Sequence, residues 1–289
     1  MEDCIVRVNQ LMNQLAPAEA RVACYVLANS HDVIGQSIDQ VAAACKTSKT
    51  TVVRFCKQLG YKGYKAFSTA LSSDLVHGGN SRISYADIVP GDDLRTIMDH
   101  VSRHTQAAIN DTMRLLNEQD VAKAVEAIDQ ARRVDFYGVG ASALVALDAQ
   151  QKMQRLCKET QSFQDSHVQV VSASSLQPGD VAVFFSYSGE TEDVLDTMRA
   201  AKATGATIVA VTRYGHSRLS ERADIPLYVA SGEMLIRSAD MTSRIAMMHV
   251  MDIIYSAVAA QGYDRYKPYL DKTHLAGRAK RSSARERRR

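Results

Sequence analysis

The sequence predicts two domains of different class. The N-terminal domain is all-α, and the C-terminal domain is α/β, with helices covering both faces of a five-stranded parallel sheet. Three observations predict this. Up to about residue 77 the apolar residues recur only at helical spacing, with no alternating run. From about residue 132 short β-rich apolar runs alternate with helical patterns, the signature of a parallel sheet. Between them His77-Gly78-Gly79-Asn80-Ser81 reads as a flexible linker. A length of 289 residues suits roughly two domains. The expected boundaries are 1–77 for the first domain, 78–91 for the linker, 92–275 for the second domain with its leading helices, and 276–289 for a basic tail.

Composition excludes several classes. Hydrophobic content of 46% and charged content of 23% are ordinary for a chain that buries a core. The start, MEDCIVRVNQ, is acidic and interrupted, unlike a signal peptide. The longest apolar run, Ile245 to Ala260, contains His249 and Asp252 and falls short of the ~20 residues a membrane span needs. The five cysteines (Cys4, Cys24, Cys45, Cys56, Cys157) keep no metal-ligand spacing and form a poor disulfide set. They read as reduced thiols of a cytoplasmic protein with no metal, no cofactor and no membrane partner. The net charge of +3 is misleading, because the tail from Arg278 to Arg289 holds seven basic residues and one acid. The rest of the chain carries 28 basic and 31 acidic residues, so any basic function is local.

In the N-terminal region Ile5, Val8, Leu11, Met12 and Leu15 follow helical spacing, and Pro17 opens a helix to Asn29. A break is expected over residues 31–35. Ser37 then begins a helix burying Ile38, Val41, Ala42 and Cys45. Lys46 and Thr47 turn, and Ser48 caps a second helix burying Val52, Val53, Phe55, Cys56 and Leu59. Two short helices joined by so tight a turn describe a helix-turn-helix. From Lys46 to Lys65 there are six basic residues and no acid. The second helix is expected to present Ser48, Lys49, Thr50, Thr51 and Arg54, the positions that reach base edges in the major groove of double-stranded DNA. Arg54 suits either a guanine or a phosphate, Lys57, Lys62, Tyr64 and Lys65 suit the DNA backbone, and Lys46 in the turn is a further DNA-binding candidate. The bland alternative is a solvated basic face.

After Pro90-Gly91, a long helical stretch to about Asn117 and a second helix over 120–132 are expected to pack on the C-terminal domain. Strands follow at 134–137, 161–164, 181–185, 207–212 and 225–229, in a three-layer α/β/α arrangement of flavodoxin- or Rossmann-like kind. The central stretch is DVAVFFSYSGET, from Asp180 to Thr191. Its apolar run suits a strand buried on both faces. Ser186, Ser188 and Thr191 then surround Gly189 just before a helix, whose N-terminal N–H groups and dipole favour an anion. Hydroxyls without Lys or Arg suit a small phosphate monoester held reversibly. The plainer alternative makes Ser188 or Thr191 an N-cap with nothing bound.

A second loop, Gly138-Val139-Gly140-Ala141-Ser142-Ala143, also joins a strand to a helix. G-x-G-x-x-A fits a dinucleotide fingerprint, with Asp165 placed to bind a ribose. A nucleotide fold gains nothing obvious from the second anion loop at Ser186–Thr191, so the preferred reading is that Ser142 and that loop converge on one small phosphorylated ligand at the carboxyl ends of the strands.

FYGVGASA together with FFSYSGET resembles the sugar isomerase (SIS) domain, and residues 37–67 ahead of it make nearly the whole chain similar to the RpiR family of transcriptional regulators. The resemblance implies a phosphosugar effector held at Gly140, Ser142, Ser186, Ser188, Gly189, Glu190 and Thr191, with Ser243 and Arg244 nearby. It implies a DNA operator read by residues 48–54, and homodimers or homotetramers that control sugar catabolism or transport genes. Aldose–ketose isomerisation would need a base, for which Glu190, His167, His216, Glu233 and His249 are present, but no acid–base pair stands at a telling spacing. The expectation is a regulator and not an enzyme. A phosphosugar isomerase and a nucleotide-dependent enzyme using the Gly138 loop are the alternatives. The tail GRAKRSSARERRR is too polar to join a core and suits either phosphate neutralisation or solvation.

Overall fold

The computed structural model of the chain describes residues 4–77, 91–230 and 241–286. The expected linker falls almost wholly outside the described residues, as do Glu233 and the end of the basic tail. Two compact units divide the chain: Met1–Leu116 with Arg213–His216 and Tyr228–Ala246, and Asn117–Thr212 with Ser217–Leu227 and Met247–Arg289.

The first unit opens with α1 (Cys4–Leu11), a single tight turn at Met12–Gln14 and α2 (Pro17–Ala28). Pro17 stands at the start of α2, where its missing N–H costs nothing, and the Glu19 carboxylate accepts the Ala16 N–H at 3.1 Å. Next come α3 (Ser30–Gly35), α4 (Ile38–Ala44), α5 (Lys49–Gln58) and α6 (Tyr64–His77). The break expected over 31–35 is therefore a short helix, because Val33 is wholly buried and draws that turn into the core. Ser37 and Gln40 form a reciprocal capping box on α4, and Ser48 accepts the Thr51 N–H at 3.2 Å to cap α5. Lys46 turns the chain between them with φ of 50°, in the left-handed region. Val22, Val26, Val41, Val52, Phe55, Leu59 and Phe67 close one apolar core. Phe67 meets Phe55 and Tyr61 edge-on at 5.6 and 5.7 Å.

The long helix α7 (Leu94–Leu115), capped by Asp93, groups with this first unit, whereas the sequence places it with the C-terminal domain. Leu115 packs with Val6 and Ala230, and the buried Thr112 hydroxyl accepts the Ala230 N–H at 3.0 Å. Tyr214 also belongs to this unit, with Arg7 over its ring at 5.3 Å.

The second unit begins with α8 (Glu118–Gln130) and builds the sheet: β1 (Arg133–Gly138), α9 (Ala141–Gln154), β2 (Glu159–Ser162), α10 (Ser166–Ser174), β3 (Val181–Phe185), α11 (Glu192–Ala203), β4 (Thr207–Arg213), α12 (Arg218–Arg222) and β5 (Ile225–Val229). Then follow α13 (Met241–Gln261) and α14 (Tyr263–Glu286), so the backbone of the tail continues as helix to Glu286. The strand order is β2-β1-β3-β4-β5, and β1 runs parallel to both β2 and β3, as β3 does to β4. Every residue of β1 and β3 is buried, so both faces of the sheet centre are covered. Tyr137 stacks on Phe184 at 5.0 Å, above Leu195 and Met198 of α11. The order reverses between β1 and β3, because the chain leaves β1 toward one edge and β3 toward the other.

Candidate functional site

Gly138 pairs with Phe185 in the β1–β3 register, so the two loops of interest leave adjacent strands side by side. Strand spacing puts their starting points about 5 Å apart. In such a sheet this is where ligands bind.

Helix capping separates these loops from their neighbours. Asp165 caps α10 with bonds from the His167 and Val168 N–H groups at 2.9 and 3.1 Å. Ser217 caps α12 by accepting the Ser220 N–H at 3.1 Å. Gly140 and Thr191, the residues that open α9 and α11, make no side-chain cap. Among the described residues no side chain is seen to cap α11 from the Thr191 position, so the plain capping role for Thr191 does not hold. At α9 the Ser142 and Ala143 N–H groups turn back onto the carbonyls of Val139 and Gly140 at 3.2 and 3.1 Å, so that helix offers chiefly the Ser142 hydroxyl. Asp165, the acid that the dinucleotide alternative assigns to a ribose, serves here as the cap of α10 through one of its carboxylate oxygens.

The loop after β3 is held in shape from within. Ser186 is buried, and its hydroxyl accepts the Gly189 N–H at 3.2 Å and lies 3.4 Å from the Thr191 hydroxyl. Ser188 accepts the Glu190 N–H at 3.2 Å. Gly189 has φ of 68°, and a Cβ there would stand 2.6 Å from Ser217 Cβ and 2.9 Å from Thr212 Oγ1. Only glycine fits. Glu190 sits on the exposed rim with its carboxylate bound by the Arg218 N–H at 2.9 Å and by Arg218 Nε at 2.7 Å. Arg218 also holds Glu192 at 2.7 Å, and that hydrogen bond keeps the Glu192 carboxyl below its ordinary range. Glu190 is thus engaged in fixing the loop. Arg218 was not legible as its partner, being 28 residues away with no motif. Gln169 is a second hidden support: its amide donates to the Gly138 and Phe163 carbonyls at 2.8 and 2.7 Å, tying the end of β1 to that of β2. Ser243 and Arg244 lie in the first turn of α13, in the other unit, with Ser243 buried and Arg244 half-buried.

The helix-turn-helix face is equally specific. Lys46, Ser48, Lys49, Thr50, Arg54, Lys57, Lys62 and Lys65 are all exposed. Thr51 is not, contrary to expectation: its hydroxyl turns inward to Ser48 Oγ at 3.0 Å. The Tyr64 hydroxyl is engaged within the domain, donating to the carbonyls of Val33 and Gln36 at 3.0 and 2.9 Å. That pairing joins α6 to the end of α3. Lys49 forms an exposed pair with Asp39 at 2.5 Å, and the Arg54 Nε donates to the buried Glu19. Among the described residues no single helix is long and apolar enough to cross a membrane, and no group of three metal-ligating side chains occurs.

Comparison with known proteins identifies both domains. Residues 127–257 match the SIS domain, and residues 3–78 match the helix-turn-helix domain of the rpiR family. An uncharacterized HTH-type transcriptional regulator of Caldanaerobacter subterraneus is 36% identical over 273 residues, covering 94% of this chain and 96% of its own. The uncharacterized HTH-type transcriptional regulator YbbH of Bacillus subtilis is 34% identical over 270 residues, covering 93% and 95%. Among solved structures, the Vibrio vulnificus NanR protein complexed with ManNAc-6P is similar at a TM-score of 0.59 and 29% identity, over 94% of this chain and 97% of that one. The sugar isomerase domain of an RpiR transcription factor from Sphaerobacter thermophilus shares the fold, with a TM-score of 0.56 over 62% of this chain and 98% of its own at 20% identity. The chain belongs to the RpiR family of HTH-type transcriptional regulators, with a helix-turn-helix domain followed by a SIS domain.

Proposed function

We propose that this chain is a cytoplasmic DNA-binding regulator of sugar catabolism or transport genes, controlled by a phosphosugar held between the loops after β1 and β3. The observation that carries the reading is the side-chain-uncapped N-terminus of α11, surrounded by Ser186, Ser188 and Thr191 beside Ser142 at the reversal of strand order. Neutral hydroxyls and N–H groups hold a phosphate dianion firmly enough to sense and loosely enough to release. NanR, similar over nearly the full chain, is bound to a phosphosugar in its solved structure. Gly140, Gly189 and Glu190 shape the loops. The chain acts as a homodimer or homotetramer on double-stranded operator DNA. A ligand alters operator affinity only by preferring one arrangement of the assembly over another.

A non-catalytic role is supported by the engagement of Glu190, the carboxylate on that loop, with Arg218, since an arginine-paired carboxylate is a weaker base. Calorimetric titration of the chain with a panel of phosphosugars, inorganic phosphate and NAD(P) tests the proposal. One phosphosugar is expected to bind, with Ser188→Ala abolishing the response and leaving DNA binding intact. Binding of NAD(P) with no phosphosugar bound would favour the nucleotide alternative. Turnover of a sugar phosphate would favour the isomerase.

A further inference from the structure

Glu19 is a buried carboxylate with only 1% of its surface exposed, and two neighbours account for it. One oxygen accepts the Ala16 N–H at 3.1 Å, locking the side chain against the start of α2. The other accepts the Nε–H of Arg54, which reaches across from the second helix of the helix-turn-helix. Arg54 itself remains 58% exposed at its side chain. Among the described residues this is the one hydrogen bond of the Arg54 guanidinium, so Nη1 and Nη2 keep their donors on a side chain that is more than half exposed.

We propose that Glu19 is a positioning residue that dedicates Arg54 to the edge of a guanine instead of to a phosphate. The inference rests on the DNA-binding reading and goes further, because it names what Arg54 reads. Two arguments carry it. First, a guanine offers O6 and N7 as a pair of acceptors, which the Nη1/Nη2 fork meets bidentately if the guanidinium plane is held in one orientation. Clamping Nε from behind supplies that orientation, since the fork has few ways left to rotate. Second, a phosphate contact depends on net charge more than on orientation. Pairing Arg54 with a carboxylate neutralises it locally and weakens its pull on phosphate, whereas the fork keeps its donors. Lys46, Lys57, Lys62 and Lys65 show the contrasting arrangement: all are exposed, and none is ion-paired among the described residues. These are the residues suited to phosphates.

The experiment selects duplexes from a randomised DNA pool with the full-length chain, then measures affinity for the selected duplex and for its single-base-pair variants at two salt concentrations. The chain and the variants Glu19→Gln, Arg54→Ala and Arg54→Lys are compared. Expected is one G·C pair whose replacement costs the unsubstituted chain about 5- to 150-fold, the worth of one bidentate contact. All three variants should lose discrimination at that same pair; Arg54→Ala and Arg54→Lys should keep the salt dependence of the unsubstituted chain, whereas Glu19→Gln, whose Arg54 is no longer neutralised, should show a slope equal or steeper. Arg54→Lys keeps the charge on an exposed side chain, so it serves if Glu19→Gln fails to fold. Discrimination retained in Arg54→Lys, or in a folded Glu19→Gln, would overturn the proposal. So would a uniform loss in Arg54→Ala with the salt slope reduced by about 0.9, the mark of one lost phosphate contact. Selection of no specific duplex by the unsubstituted chain would instead remove the DNA-binding reading beneath it.

Discussion

Replacing Thr191 and Asp165 by alanine, one at a time, separates a ligand site from a structural cap. Both residues open a helix at the carboxyl end of a strand, yet only Asp165 caps, through bonds of 2.9 and 3.1 Å to the N–H groups of His167 and Val168. Asp165→Ala should therefore cost about 0.5–2 kcal/mol of stability. Thr191 makes no cap, and among the described residues its hydroxyl has a single long neighbour, Ser186 at 3.4 Å. Thr191→Ala should change stability by no more than about 0.5 kcal/mol. Ligand affinity should behave in the opposite way. A hydrogen bond to a charged phosphate is worth about 1.5–3 kcal/mol, so Thr191→Ala should weaken phosphosugar binding roughly 10- to 150-fold. Asp165→Ala should leave that affinity unchanged. Urea unfolding measures the first quantity and calorimetric titration the second. If Thr191→Ala destabilised the fold as a lost cap does and kept full ligand affinity, the reasoning from uncapped helix ends would fail.

Three further outcomes follow from particular contacts. Gly189→Ala forces a left-handed residue against Ser217 and Thr212, costing about 1–2 kcal/mol for the backbone and ~1–3 kcal/mol for overpacking. Urea unfolding should show a loss of that combined order together with loss of ligand binding. Burial pushes the Cys56 thiol up to about 12 and Cys4 higher still, while Cys24 and Cys157 are exposed. A thiol reagent at pH 8 should therefore label Cys24 and Cys157 in the folded chain and all five cysteines in denaturant. Burial raises the Asp129 carboxyl, but hydrogen bonds from Tyr266 and Arg265 outweigh it and hold the group below its ordinary range. A depressed folded-state pKa contributes stability above the unfolded value and loses it as pH falls through the folded one. The stability gap between the unsubstituted chain and Asp129→Asn should thus be full at neutral pH and shrink below about pH 4.

The sheet and the helix-turn-helix were legible because their signals are local. β3 matches its expected bounds, since a run of apolar residues flanked by Pro178-Gly179 and by hydroxyls fits only a strand buried on both faces. α4 and α5 were legible from Ser37 and Ser48, whose side chains cap them as read. What escaped depends on partners distant in sequence. The short helix α3 forms because Val33 reaches the core, which its own weak pattern does not announce. Tyr64 looked like a DNA contact but lies 31 residues from Val33, whose carbonyl it satisfies. Thr51 follows a helix face that only the Ser48 cap turns inward. Glu190 seemed available as a ligand or base, and its engagement by Arg218 required the loops after β3 and β4 to be brought together. Glu19 carried one readable sign, its position two residues after Pro17 at a helix start, but nothing in that sign pointed to Arg54.

The most direct test of the central claim is a DNA-binding titration on the selected operator duplex, run with and without saturating phosphosugars. It should be repeated at two salt concentrations, because phosphate contacts make affinity steeply salt-dependent. The account predicts specific binding whose affinity is shifted by one phosphosugar, with the shift lost in Ser188→Ala and the binding retained. A phosphosugar that binds the protein at saturation yet leaves operator affinity unchanged would contradict it.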